Sequence, residues 1–468
     1  MVSQFESYQS PFTWRYGTPE MRQIFSEFHK YQLWRNIWVA LAQVEHTAGL
    51  VTKEELDDLM EFQDTIDIER IVEIEKSTKH DVVAAIQEYA EKATIGGGKI
   101  HFGATSMDIV DNAEMMRVME GLALIEKSLS SILHKFSEHM EIMCDTPCIG
   151  YTHLQPAEPT TVGYRLAFYA QDLLIDLETL AFVRSTIRGK GMKGAVGTSA
   201  SYRQLLTNTK ITAEQLDQEV MGRLGIKSSL ITTQVYTRKF DYLVELCLAS
   251  IASSCAKFAS DLRILQSPAY GEWSEPFDKN QVGSSAMPFK KNPVSSEKIC
   301  SLARYIAQLP AVILENATLS HLERTLDDSA NRRIIMSESF LAVDEILNTI
   351  KKILGGLVFH EKKITYNLNQ YAPFAATEPL LILLVKKGAD RQKMHETLRI
   401  IALKSWDGVT DGKENPMKSL LQQENQITQL LTKQEIDRCF DVKYHVGDAS
   451  ERTTKLVAKI RRVTQHLT

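Results

Sequence analysis

The chain has 468 residues, of which 44% are hydrophobic and 24% charged, and carries a formal net charge of -5 at pH 7. That length supports a well-buried core and two or three domains at roughly 100 to 200 residues each; the mild acidity excludes a basic nucleic-acid footprint and points to a small-molecule partner. Only 13 prolines and 23 glycines interrupt the chain, below the average shares of roughly 5% and 7%, so long helices are expected.

In chain order, the opening MVSQFESYQSPFTWRYG has no apolar core behind positive charge, so no secretory signal is expected and the mature chain is read as starting here. Helical patterns up to about residue 105 are short and are broken by GGG at 96–98. GGGKI at 96–100 is close to a phosphate loop, but Ala93 replaces its first glycine and Ile100 stands where a Ser or Thr must bind magnesium. Between Gly103 and Pro147 there is no proline, and Leu122, Ile125, Leu129, Ile132, Phe136 and Met143 recur at spacings of three and four. That period predicts a long bundle helix, and further helical segments are expected at about 160–187, 234–265, 294–318 and 328–355. GKGMKG at 189–194 matches a dinucleotide fingerprint, which needs a strand before it; the preceding DLLIDLETLAFVRSTIR has helical periodicity instead. The longest aliphatic run, Leu380 to Val385, is far short of the roughly 20 residues that span a bilayer, so no membrane span is expected. Six scattered cysteines without a CxxC pair argue against a disulfide framework and a zinc site, and predict reduced thiols in a cytoplasmic protein. The fold class is therefore all-α, divided as 1–104, a central long-helix bundle at 105–358, and 359–468.

Chemistry concentrates in a few strings. GSSAMPFKKNP at 283–293 places hydroxyls, ammonium groups and an amide before a segment with Ile299, Leu302, Ile306 and Leu309 at helical spacing, so Pro293 is expected to open a helix whose free N–H groups face the loop. Such a cluster suits developing negative charge on a carboxylate, although a polar capped turn has the same composition. GYTHLQPAEPTTVGY offers His153, a residue type suited to proton transfer near neutral pH. KHD at 79–81, ATS at 104–106 and RTLDDSANRR at 324–333 lie next to expected helix starts and could hold anions, or serve as caps and solvated charges.

Taken together these strings resemble the fumarase/aspartase superfamily. GSSAMPFKKNP is similar to its shared loop, while WRYGTPEM at 14–21, QVYTRKFD at 234–241 and RTLDDSANRR resemble the adenylosuccinate lyase branch, over nearly the whole chain. The resemblance implies a three-domain fold whose long helices form a tetramer core, three subunits contributing to each active site. It implies a cofactor-free, metal-free β-elimination of fumarate from adenylosuccinate, giving AMP, and from the succinyl-aminoimidazole-carboxamide ribotide, giving AICAR. Ser284 is then the base, His153 the acid, and Lys290 and Asn292 hold the substrate carboxylate whose charge spreads. Arg15, Tyr16, Ser329 and Arg333 belong to the phosphate end, and Lys79, His80, Asp81, Thr105, Ser106, Gln234, Lys298 and Arg324 to the remaining groups. Glu297 is expected to orient a histidine such as His80, and His101 is a further candidate. Lys79 and Lys298 depart from the arginines of many relatives, and Ala195 and Val196 replace hydroxyl residues in GMKGAVGTSAS at 191–201; a lysine keeps the charge but loses the two-pronged grip. The alternatives are an argininosuccinate lyase, whose loop also carries paired lysines before NP, and a non-catalytic structural protein on the same scaffold.

Overall fold

The structure, a computed structural model, describes residues 6–465, so the first five residues of the amino-terminal stretch lie outside the described residues. Helices dominate it. The longest, Ser106–Ile142, buries Leu122, Ile125, Leu129, Ile132 and Phe136 completely, as their spacing predicts, and Met143 is buried just past its end. Its start is fixed by Asp108, whose carboxylate accepts from the Thr105 N–H at 3.1 Å while its own N–H donates to the Thr105 carbonyl at 2.9 Å.

Helices Val162–Thr186, Lys239–Gln266 and Ser329–Gly355 occupy three other expected segments. The first of them precedes GKGMKG, so the strand that a dinucleotide fingerprint requires is replaced by a helix. The segment at 294–318 differs from expectation, being two helices, Val294–Ile306 and Leu309–Leu319. Pro310 sits in the first turn of the second, where a missing N–H breaks no helical bond. By length and composition Lys239–Gln266 is a helix that could cross a membrane. Half of its most apolar window is buried inside the structure, however, and Asp241 and Glu245 on it are bonded to Arg332 and Ser339, so its apolar face serves the protein core.

Contacts divide the chain into two compact units, Met1–Ser128 with Asp176–Ser253 and Leu302–Asn348, and Leu129–Ile175 with Ser254–Ser301 and Thr349–Thr468. The first has an aromatic core in which Trp34 and Trp38 meet edge to face at 6.3 Å. Beside them the fully buried Arg35 lies over the Tyr89 ring at 3.5 Å and pairs with Glu88. In the second unit the helices Thr377–Lys386, Arg391–Thr410 and Met417–Gln423 pack through Leu380, Leu384, Met394, Leu398, Met417 and Leu421.

The second unit also holds a hairpin absent from the sequence reading, Pro147–Thr152 paired antiparallel with Gln155–Thr161. Pro156 and Pro159 mask its strand pattern, and proline is tolerated on an edge strand. Thr152 pairs with Gln155, leaving His153 and Leu154 as a two-residue turn with φ of 53° and 60°. Both values lie in the left-handed region that such turns usually fill with Asn and Gly. The chain then enters the next helix through Gly163, where a Cβ would stand 2.6 Å from the Cys144 backbone, so only glycine permits this approach.

Two stability predictions follow from these features. Glu45 is completely buried with neither carboxyl oxygen hydrogen-bonded among the described residues, and burial pushes its pKa from 4.5 up to about 9. The unfolded chain therefore releases this proton near pH 4.5 while the folded chain keeps it to about pH 9, so the group destabilises the fold progressively across that window. Melting temperature measured from pH 5 to 9 should fall less steeply for Glu45→Gln than for the parent, and parallel curves would count against the assignment. At the hairpin, Leu154 is 59% exposed and its side chain contributes little packing. Leu154→Gly should stabilise the protein by about 0.5–1 kcal/mol in denaturant titrations through relief of the positive φ, and a loss of stability would show that the turn is not strained.

Candidate active site

Within the first unit a cleft of about 610 Å³ lies where separate helix starts converge, a size within the roughly 300–1,000 Å³ typical of small-molecule sites. One wall comes from the end of helix Ile68–Thr78 and the start of Asp81–Lys92. Lys79 ends the former with a φ of 55°, and His80 caps the latter, its Nδ1 accepting from the Val83 N–H at 3.4 Å. Thr105 and Ser106 come from the start of the longest helix, Gln234 from a loop, Arg324 from the loop before Ser329–Gly355, and Ser329 and Arg333 from the start of that helix. The Gln234 loop is tied to the last wall by its own N–H, which donates to the Glu323 carbonyl at 3.3 Å. Arg333 is exposed and reaches the Asp81 carboxylate at 3.3 Å.

Beneath these residues lies a network of buried charges. The Arg238 guanidinium donates through Nε to Asp328 at 2.6 Å and through Nη1 to both oxygens of Asp111 at 3.1 Å. Asp111 also accepts from the Tyr236 N–H at 3.0 Å, and Arg332 donates to Asp241 at 2.7 Å and to the Tyr236 hydroxyl at 2.8 Å. Asp328 has a second arginine partner, Arg324, at 2.9 Å. Burial alone would raise the Asp328 carboxyl; the guanidinium groups of Arg238, Arg332 and Arg324 outweigh it and hold the group below the ordinary aspartate value. Thus the strings carrying Thr105, Gln234 and Arg324 are cross-linked through Asp111, Arg238 and Asp328.

Nine residues expected from the sequence therefore line one cleft: Lys79, His80, Asp81, Thr105, Ser106, Gln234, Arg324, Ser329 and Arg333. Arg15 and Tyr16 are not among its lining; Arg15 lies 5.6 Å from the Trp14 ring, and the Tyr16 carbonyl accepts from Arg22. His101 does not line it either. Its Nδ1 accepts from the Trp38 indole at 3.1 Å, and burial lowers its pKa to about 4, so it is a neutral packing residue. Arg332 was missed, although Ser329, Arg332, Arg333 and Met336 have the three-and-four spacing of one helix face.

His153, Ser284, Lys290, Asn292 and Lys298 belong to the second unit. His153 is exposed at the hairpin tip, and no hydrogen bond or ion pair among the described residues joins it to Ser284, Lys290 or Asn292. In the 283–293 loop the Ser284 Oγ accepts from the N–H groups of Ala286 at 3.3 Å and Met287 at 3.1 Å. Asn292 donates to the Gly283 carbonyl at 2.8 Å, and a Cβ on Gly283 would collide with the Lys290 carbonyl at 1.8 Å, so the loop folds back on itself where only glycine fits. The expected free helix start is a correction. The N–H groups of Ser295 and Ser296 are taken by the buried Glu275 at 3.2 and 3.3 Å, so they offer nothing to a ligand. Burial raises the Glu275 carboxyl. Glu297 lies 3.9 Å from Arg263, while His80 has Val83 and Asp81 as partners.

The donor set of the cleft suits a polyanion, with a hydroxyl-bearing helix start on one wall and arginines on another. Comparison with known proteins agrees in kind. A family model described as Lyase matches residues 14–307, and one described as Adenylosuccinate lyase C-terminus matches 373–456. Curated relatives include the adenylosuccinate lyase of Schistosoma mansoni, 37% identical over 85% of this chain and 83% of its own. That of Saccharomyces cerevisiae is 34% identical over 97% and 95%, and that of Pyrococcus horikoshii 35% over 97% and 98%. Among solved structures, the 3-carboxy-cis,cis-muconate lactonizing enzyme from Pseudomonas putida has a TM-score of 0.86 at 22% identity, covering 98% of this chain and all of the other. A fumarate lyase from Mesorhizobium sp. BNC1 has a TM-score of 0.83 at 22% identity, covering 97% and 99%. These structures share the fold; the sequence relatives carry the family.

Proposed function

The chain belongs to the adenylosuccinate lyase family of the fumarase/aspartase superfamily, and from that premise we propose how its residues divide the reaction. It is a carbon–nitrogen lyase that eliminates fumarate from adenylosuccinate and from the succinyl-aminoimidazole-carboxamide ribotide. The observation that carries the assignment of residues is the convergence of nine expected side chains on one cleft. Arg333 and Ser329, with Arg15 and Tyr16 from the amino-terminal segment, take the phosphate. Lys79, His80, Asp81, Thr105, Ser106, Gln234, Lys298 and Arg324 surround the ribose, base and succinyl groups.

Elimination needs a base for a proton on carbon beside a carboxylate and an acid for the departing nitrogen. The Ser284 Oγ, as an alkoxide, takes the carbon-bound proton; that electron pair forms the fumarate double bond as the carbon–nitrogen bond breaks. The nitrogen keeps the bonding pair and receives a proton from the His153 imidazolium. Serine is a weak base in water, so its ionised form must be favoured. The two backbone N–H groups at the Ser284 Oγ supply part of that, because hydrogen bonds to the charged form stabilise it. Lys290 in the same loop adds positive charge, Asn292 and Lys290 hold the succinyl carboxylate, and closure of the exposed loop excludes water. A lysine at 79 and at 298 gives a point charge in place of a fork, which bears on affinity more than on the chemical step.

The reading includes a cytoplasmic homotetramer with shared sites and the division at 1–104, 105–358 and 359–468. It is supported by membership of the adenylosuccinate lyase family and by long helices that need partners.

Fumarate release followed by ultraviolet absorbance tests the function, with adenylosuccinate as substrate and argininosuccinate as control; turnover of the control alone would overturn it. Ser284→Ala and His153→Ala should each lower kcat by roughly 10²–10⁴-fold or more while substrate binding and the melting temperature persist. Near-normal turnover in either variant removes that residue from its role.

A further inference from the structure

Arg324 lines the cleft, and its guanidinium donates to the carboxylate of Asp328, four residues further along the chain, at 2.9 Å. Asp328 is only 3% exposed, and its other oxygen accepts from Arg238 Nε at 2.6 Å. Arg238 is itself buried and is gripped from its other side by both oxygens of Asp111. A single carboxylate therefore joins an arginine of the cleft to an arginine of the core. Local charges explain why that link is needed. Arg238 between Asp111 and Asp328 leaves one negative charge in excess, and Arg324 is the group that balances it, because Arg332 is matched by Asp241. An arginine in an unanchored loop samples many rotamers; one whose Nη1 is bonded to a buried, doubly held carboxylate samples few, and its remaining N–H groups keep a fixed direction.

We propose that Asp328 is a positioning residue for substrate binding, which fixes the direction of the Arg324 guanidinium by anchoring it to the buried Arg238–Asp111 pair. The role rests on the reading that Arg324 contacts substrate in this cleft. Asp328 touches no substrate itself and acts before the chemical step, so its loss weakens binding more than turnover.

The test measures kcat and KM for adenylosuccinate in Arg324→Ala, Asp328→Asn and the double variant. Arg324→Ala should raise KM by roughly tenfold or more, Asp328→Asn should raise KM several-fold with kcat within about threefold of the parent, and the double variant should be no worse than Arg324→Ala alone. A parental KM in Arg324→Ala would overturn the reading of the cleft. A raised KM in Arg324→Ala with a parental KM in Asp328→Asn, or strictly additive effects in the double variant, would overturn only the positioning role. If Asp328→Asn does not fold, Asp328→Glu keeps the charge on a side chain one methylene longer and is read in the same way: KM raised with kcat retained supports the role, and parental KM overturns it.

Discussion

The cleft depends on one buried arrangement, the Arg238 guanidinium held between Asp111 and Asp328. The three residues come from strings separated by well over a hundred positions and ninety positions, and each string also supplies residues to the cleft wall. Taking such charges out of water is costly, and the attraction between them repays it only when the hydrogen-bond geometry is good; removing one partner typically costs about 3–5 kcal/mol. The arrangement therefore adds little net stability but tolerates few alternatives. A planar fork with two carboxylates on defined edges accepts one register of the three strings. Tyr236 extends the constraint, since its N–H reaches Asp111 while its hydroxyl donates to Asp241 and accepts from Arg332, itself part of the cleft lining. Three arginines and three aspartates close the charge balance: Arg238, Arg324 and Arg332 against Asp111, Asp241 and Asp328.

The same logic governs the loop that resembles a nucleotide fingerprint. Lys190 is fully buried and pairs with Asp108, whose oxygens also accept from the N–H groups of Lys193 and Gly194 and from the Tyr202 hydroxyl. Lys193 pairs with Asp217 at 2.6 Å. The lysines of GKGMKG are thus committed to internal carboxylates. Because Asp108 also holds the Thr105 N–H, this loop and the start of the longest helix are set by one carboxylate. Asp108 and Asp111 stand three residues apart on one helix face and point at two different strings, so the helix start is where both networks meet.

These networks also mark the limit of what the sequence discloses. Helices were legible because their signal is local: the three-and-four spacing of Leu122 to Phe136 is sufficient on its own. The hairpin was not legible, since Pro156 and Pro159 break the alternation that marks a strand and the turn lacks the Asn-Gly pair that normally signals one. Its geometry is imposed by pairing across the hairpin, including Thr152 with Gln155, instead of by the preference of His153 and Leu154. The individual polar strings could be picked out as possible anion sites, but their convergence could not, because it is written in pairings between distant residues. Glu275 shows the same limit from the opposite side. A helix start after GSSAMPFKKNP was correctly anticipated, yet nothing local reveals that a carboxylate from residue 275 already occupies its N–H groups.

Where the proposed acid and base sit follows from what each step asks of the protein. Phosphate and carboxylate are fully charged before the reaction begins, so their recognition gains from charges that do not move, and the cleft arginines rise from a buried ionic base. Proton abstraction from carbon asks for the reverse: an alkoxide is tolerable only when water is absent and donors are already aimed at it. The Ser284 loop meets that need in its own backbone, with the Ala286 and Met287 N–H groups directed at Oγ while its lysines and Phe289 remain exposed. A loop whose essential donors are internal can change position without dismantling the group that stabilises the base. His153 is presented likewise by a tight turn, whose left-handed backbone projects the imidazole from a short paired base. Rigid charge for the proposed binding role and locally complete, exposed elements for the proposed proton transfer are thus built by different means in one chain. That division explains why the supporting network for Arg324 lies deep in the core, whereas the donors for Ser284 lie within three residues of it.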